Sequence, residues 1–275
     1  MKLNKQLVTV GAVSLVAVFF CMNTLLRQGD SRSSPVRDDS ILKNTPVKQT
    51  EARQDDRMET KKSEASGIPD HDAIAPQGKA WVAMALPKPF FQGTPKEIRG
   101  ALNLEPPRDG KLRNPIFVPV GCEHLLSRDC EVTSSDPDPI IGELSYITDG
   151  DKEYDAYVEL APGTQWVQVD LGEEREIYAA CVWHFHGEPR VYRDVVCQIS
   201  NDPDFIDDVV TVFNNDHDNS SKLGAGKDKE YLESNHGRPF AVNAVKARYV
   251  RFYSRGNTTN EVNHYTEIEV YGKGD

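Results

Sequence analysis

From residue 140 to the end, short apolar runs are separated by polar turns. The runs are TQWVQVDLG, EIYAACVWHFH, VYRDVVCQIS, DVVTVFNND, ARYVRFYS and YTEIEVYG, rich in Val, Ile, Tyr, Phe and Trp. In Trp166-Val167-Gln168-Val169-Asp170 apolar and polar positions alternate with period two, as in a strand with one buried face. NDPD, HDNSSKLGAG and RGNTTNEVN lie between the runs and supply turn chemistry. No long amphipathic helical pattern competes. Regularly spaced strands without helices predict an all-β fold over residues 140–275, an antiparallel jelly-roll β-sandwich.

Upstream the pattern changes. Residues 79–139, with KPFFQGTP and NLEPPRDGKLRNPIFVP, mix short apolar patches with Pro and Gly turns. They read as an irregular arm packed on the sandwich and adding an edge strand. Residues 27–78 mix both charge signs with scattered Pro and Ser and almost no aromatics, the composition of a disordered tether. Residues 1–26 contain a run, QLVTVGAVSLVAVFFCMNTLL, with no charge between Lys5 and Arg27. At 1.5 Å per residue it is long enough to cross a hydrocarbon core of about 30 Å. Bulky Phe19 and Phe20 stand where a cleavage site needs small residues, so the run reads as an uncleaved signal anchor. Lys2 and Lys5 keep the N-terminus cytoplasmic and put the C-terminal domain outside, periplasmic or extracellular.

Charge narrows the partners. Beyond residue 72 the chain holds 21 basic and 33 acidic residues, a surface that repels phosphate backbones and excludes nucleic acid as a partner. None of the five cysteines forms a CxxC zinc motif. Cys122 and Cys130 bracket a loop-like segment that a disulfide would close outside the cytoplasm; Cys181 and Cys197 fall inside apolar runs and read as core, paired or free. There is no GxSxG, no HExxH and no carboxylate pair spaced for acid–base work, and GAGK departs from a Walker A loop. The chain is expected to bind rather than catalyse.

ITDGDKEYDAYVEL, QWVQVDLG, YRDVVCQISNDPDF, ARYVRFYS and YTEIEVYG, in that order, resemble the discoidin family, the coagulation factor 5/8 type C domain of the galactose-binding-like superfamily. The resemblance spans roughly residues 120–272. It departs from the family where KEYDAY follows the DGD turn and where the loop over residues 214–231 is long and polar. It implies a non-catalytic module for cell-surface sugars or lipids. It also implies a structural Ca²⁺ held by Asp149, Asp151 and Glu267, with Glu269 the second choice for the final carboxylate. Hard oxygen ligands at a tight turn suit that ion.

For a sugar site the residues needed are a flat aromatic and several hydrogen-bonding side chains. Strand alternation in Trp183-His184-Phe185-His186 predicts both imidazoles on one face. With His217 and His264 they make four histidines, but no spacing fixes a third ligand for a transition metal. His184, His186, Arg190 and Tyr192, with Asp216 and His217 of one loop and Asn263 and His264 of another, are the candidate ligand-binding residues at one rim. The expected partner is carbohydrate or another envelope surface component. The alternative is a structural protein-interaction domain of an envelope assembly.

Overall fold

The computed structural model describes residues 74–91, 98–108 and 111–274. The charge-free run at 6–26 and the polar segment after it up to residue 73 lie outside the described residues. Among those described, no helix is long and apolar enough to cross a membrane.

The described chain is all-β, and every strand pair is antiparallel. Its strands are β1 (Lys79–Trp81), β2 (Phe117–Pro119), β3 (His124–Leu125), β4 (Glu131–Ser134), β5 (Val158–Leu160), β6 (Gln165–Trp183), β7 (Val196–Ser200), β8 (Val210–Asn214), β9 (Arg238–Ser254), β10 (Asn263–Tyr265) and β11 (Glu267–Gly272). A seven-stranded sheet runs β3-β11-β6-β9-β7-β8, with β4 also paired to β6. The pairs β5–β10 and β1–β2 form two small sheets. A single 3-10 turn, Leu144–Thr148, leads into the acidic DGD turn.

Two runs that read as separate strands, TQWVQVDLG and EIYAACVWHFH, are one ribbon. β6 spans 19 residues and pairs with the 17-residue β9. The break survives as a register shift between Asp170 and Arg175, where Gly172 adopts φ +82°. Asp170 holds the joint: its carboxylate accepts the Gly172 N–H and two bonds from the Arg248 guanidinium, each at 2.7 Å. The Arg248 bonds and the Gly172 amide keep its pKa below the usual carboxylate range against the opposing effect of partial burial.

Period-two alternation selects the inner face. Val167 and Val169 of β6, Ile199 of β7, Val250 and Phe252 of β9 and Ile268 and Val270 of β11 meet Val158, Leu160 and Tyr265 of the small β5–β10 sheet. Each such side chain contributes about 1.5–3 kcal/mol on burial. The second half of β6 does not alternate in polarity, because both of its faces are covered. Ala180 and Val182 face the main core, while Ala179, Cys181 and Trp183 pack with Val82, Met84, Val118 and Cys122. The segment from β1 to β3 therefore roofs the outer face of the sheet. Residues upstream of 140 supply four strands, and β3 and β4 are members of the main sheet. Cys122, Cys130, Cys181 and Cys197 are all free thiols, so the loop between Cys122 and Cys130 is not closed by a disulfide.

Candidate functional site

β6 ends at Trp183, and the four residues that follow leave the sheet. Strand alternation therefore does not govern His184 and His186, and their partners differ. His184, fully buried, donates from Nδ1 to Glu233 Oε2 at 2.9 Å. His186 donates from Nε2 to the Lys152 carbonyl at 2.8 Å, tying β6 to the segment after the DGD turn.

Four of the candidate residues gather. The His184 ring stacks on Tyr192 at 4.3 Å between centroids. The Tyr192 hydroxyl donates to His264 Nδ1 at 2.9 Å, and His264 Nε2 donates to Glu159 Oε2 at 3.1 Å. Burial, reinforced by the Arg190 and His184 charges, pushes the His264 pKa down to about 3, so the ring relays these bonds in its neutral form. Arg190 lies over the Phe185 ring at 4.5 Å and reaches the exposed Glu188 carboxylate with Nη2 at 2.9 Å. Three nitrogens here are enclosed without a hydrogen-bond partner among the described residues: His184 Nε2, Arg190 Nε and Arg190 Nη1. Native interiors leave few such groups unmet.

The other candidates are used to build the fold. Asn263 is fully buried and spends its whole hydrogen-bonding capacity internally. Its Oδ1 accepts from Ser254 Oγ and the Gly256 amide, and its Nδ2 donates to the Ala161 and Gly163 carbonyls. Asp216 caps its own loop, accepting from the Ser220 and Ser221 amides. His217 meets Asn103 at 3.0 Å. The rim expected from residues 214–221 and 257–264 is thus not a single ligand surface.

The calcium set also fails to converge. Asp149 and Asp151 are exposed, and each uses Oδ1 to accept an amide of its own turn. Glu267 is buried and accepts the Gly150 N–H at 3.0 Å. Burial raises its pKa to about 9. A cation already sits beside this group: Lys152 Nζ donates to Glu269 Oε1 at 2.6 Å and lies 4.7 Å from the Trp183 ring centre. These residues do not fit a calcium ion as a three-carboxylate cage. Among the described residues the acidic groups close enough to share an ion are Asp194, Asp216 and Asp218.

No family model matches the sequence, and no curated protein matches it. Solved structures do match. The CBM32 module of AlyQ, in complex with 4,5-unsaturated mannuronic acid, aligns at 20% identity and TM-score 0.40 over 52% of this chain and 95% of that one. Chitosan-binding module 1 from a chitosanase/glucanase of Paenibacillus sp. IK-5 aligns at 22% identity and TM-score 0.41, over 54% and 99%. A family 89 glycoside hydrolase from Clostridium perfringens aligns at 19% identity and TM-score 0.42, over 55% of this chain and 15% of that enzyme.

One feature had no signal in the sequence. Phe185 does not stand alone: Tyr157 meets its ring edge-on at 5.1 Å, and Tyr154 lies at 6.5 Å. Phe90, contributed by KPFF of the arm, is 55% exposed and lies 4.2 Å from Tyr154. Gly187 makes the close approach possible, since a Cβ there would fall 2.7 Å from both Phe185 and Tyr154. The result is a step of partly exposed rings that touches the buried cluster through Arg190 and His264, with Glu188 paired to that Arg190. Tyr154, Tyr157 and Phe90 are far from residue 185 in sequence, and only the arm and the post-DGD segment bring them to it.

Proposed function

We propose that this protein is a carbohydrate-binding module. The supporting observation is the ring step of Phe90, Tyr154, Phe185 and Tyr157, bordered by the Glu188–Arg190 pair and touching a cluster with unmet donors. The apolar face of a pyranose stacks on such rings. Its hydroxyls then donate to the exposed Glu188 carboxylate, which Arg190 holds in place. A single neutral sugar on a shallow surface binds in the millimolar to tens-of-micromolar range, about 4–6 kcal/mol. The reading includes a tether: residues 6–26 would hold the module on a membrane, outside the cytoplasm, so that many copies act together on a polymer.

The test is a glycan array probed with the full-length protein, followed by titration of the best ligand. Tyr154→Ala and Glu188→Ala should each weaken that ligand about tenfold or more, near 1.4 kcal/mol. A protein that retains no glycan, or folded variants that bind as the parent does, would leave the protein-interaction reading in front.

A further inference from the structure

A second concentration of unmatched charge lies where the arm meets β9. Arg108, Lys111, Arg113, Asn114 and Arg238 line a pocket of about 460 Å³ together with Glu105. Glu105 takes all three guanidiniums: Arg113 Nη1 at 3.0 Å, Arg238 Nη1 at 3.0 Å and Arg108 Nε at 3.7 Å. Among the described residues of the pocket, one carboxylate therefore stands against four cations. This inverts the local sign on a chain whose residues beyond 72 carry an excess of acid. Residues 109–110 lie outside the described residues.

The three guanidiniums are held in place rather than splayed into solvent. Arg113, with 9% of its side chain exposed, donates from Nε to the Gly237 carbonyl at 2.8 Å. Arg108 donates from Nη2 to Ser234 Oγ at 3.0 Å and from Nη1 to His236 Nδ1. Arg238 lies 5.1 Å from the Phe213 ring centre. Even so, Arg113 Nη2 and Arg238 Nε are enclosed with no partner among the described residues. The crowding also marks its neighbours. Burial first, then the Arg108 and Arg113 charges, press the His236 pKa down to about 4. Burial and then Arg113 lower Arg108 to about 10.

We propose that this pocket binds an oxyanion, the carboxylate or phosphate group of a small polar ligand. A guanidinium presents paired N–H groups that match two oxygens of either anion. An anion seated among Arg108, Arg113 and Arg238 offsets the excess of positive charge that Glu105 in the pocket and Glu233 near it leave. Lys111 and Asn114 add donors from the same wall. The site is separate from the ring step and stands whether or not that step binds sugar.

The full-length protein is titrated with sodium phosphate and, separately, with sodium glucuronate. Sodium chloride at matched ionic strength is the reference, because simple screening responds to ionic strength alone. The readouts are the melting temperature and the His236 ring resonances. Saturable responses to either oxyanion beyond the chloride response are expected at millimolar concentrations or below. Response to both marks the shared chemistry, to glucuronate alone an acidic sugar, and to phosphate alone a phosphoryl group. Arg108→Gln should weaken saturation about tenfold. Lys111→Gln, at an exposed position, should weaken it less and carries the test if the first variant does not fold. Responses no larger than chloride, or saturation unchanged in folded variants, overturn the proposal.

Discussion

Lys152 shows how far one side chain can redirect an expectation. Its position follows DGD, in a stretch that departs from the family pattern, and the structure buries it against Glu269 and Trp183. Glu269 also accepts the Tyr271 hydroxyl at 2.7 Å, and Glu267 lies in the same buried layer. An ammonium group thus compensates carboxylates that the family resemblance assigns to a metal. Breaking a buried pair from one side leaves a charge without its counterpart, at about 3–5 kcal/mol. Lys152→Ala should therefore lose about that much in a denaturant titration, while EDTA leaves the parent's melting curve unchanged. A melting temperature that falls on chelation and recovers with Ca²⁺ would restore the metal to this turn.

At the scale of elements, the candidate loops are structural where their side chains are fully spent. Asn263 joins three pieces of chain: the end of β9 through Ser254, the corner at Gly256, and the turn after β5 through Ala161 and Gly163. Replacing it with Ala leaves several buried partners unmet, each worth about 1–3 kcal/mol. Asn263→Ala should lower stability by about 2 kcal/mol or more, read as a shift in the urea midpoint, with no specific loss of sugar affinity in the protein that remains folded. Loss of affinity without loss of stability would return Asn263 to the ligand site. Asn257, buried at 1% exposure, is committed in the same way to Asn260, Val262 and Thr259. Asn257-Thr258-Thr259 fits the N-glycosylation sequon, and burial encloses its acceptor amide in the native fold.

For the whole molecule, the informative relation is between the arm and the sheet. Val118 of β2 is 2% exposed and packs in the cluster with Trp183, Cys181 and Tyr271. Were the segment a loose appendage, a charge there would cost little. As the roof of a two-faced sheet it must be dry, and an unpaired buried carboxylate is strongly unfavourable. Val118→Asp should cost about 3 kcal/mol or more in global stability and lower the midpoint of a single transition. An unchanged midpoint would show that the arm and sheet do not unfold as one unit.

Local pattern alone determined the class of this fold. Period-two alternation around residues 166–170 and 248–252, with Gly, Asn and Asp turns between the runs, allows strands and no helix, because those preferences are backbone and side-chain properties of a few adjacent residues. What alternation could not determine was continuity or partnership. It read β6 as two strands, since a bulge at Gly172 and a true turn share one composition. It placed His184 and His186 on one strand face, but the strand ends at Trp183. It also read histidine, asparagine and aspartate as open ligands, where burial turned Asn263 and Asp216 into internal braces. The ring step, the Arg pocket around Glu105 and the Lys152–Glu269 pair each join segments separated by tens to more than a hundred residues. Such contacts exist only once the chain has packed, the arm closing over the sheet for Phe90 and Glu105 and the segment after the DGD turn folding onto β11 for Lys152. Tertiary structure alone decided them, because burial and partner choice belong to the packed chain and not to any stretch of it.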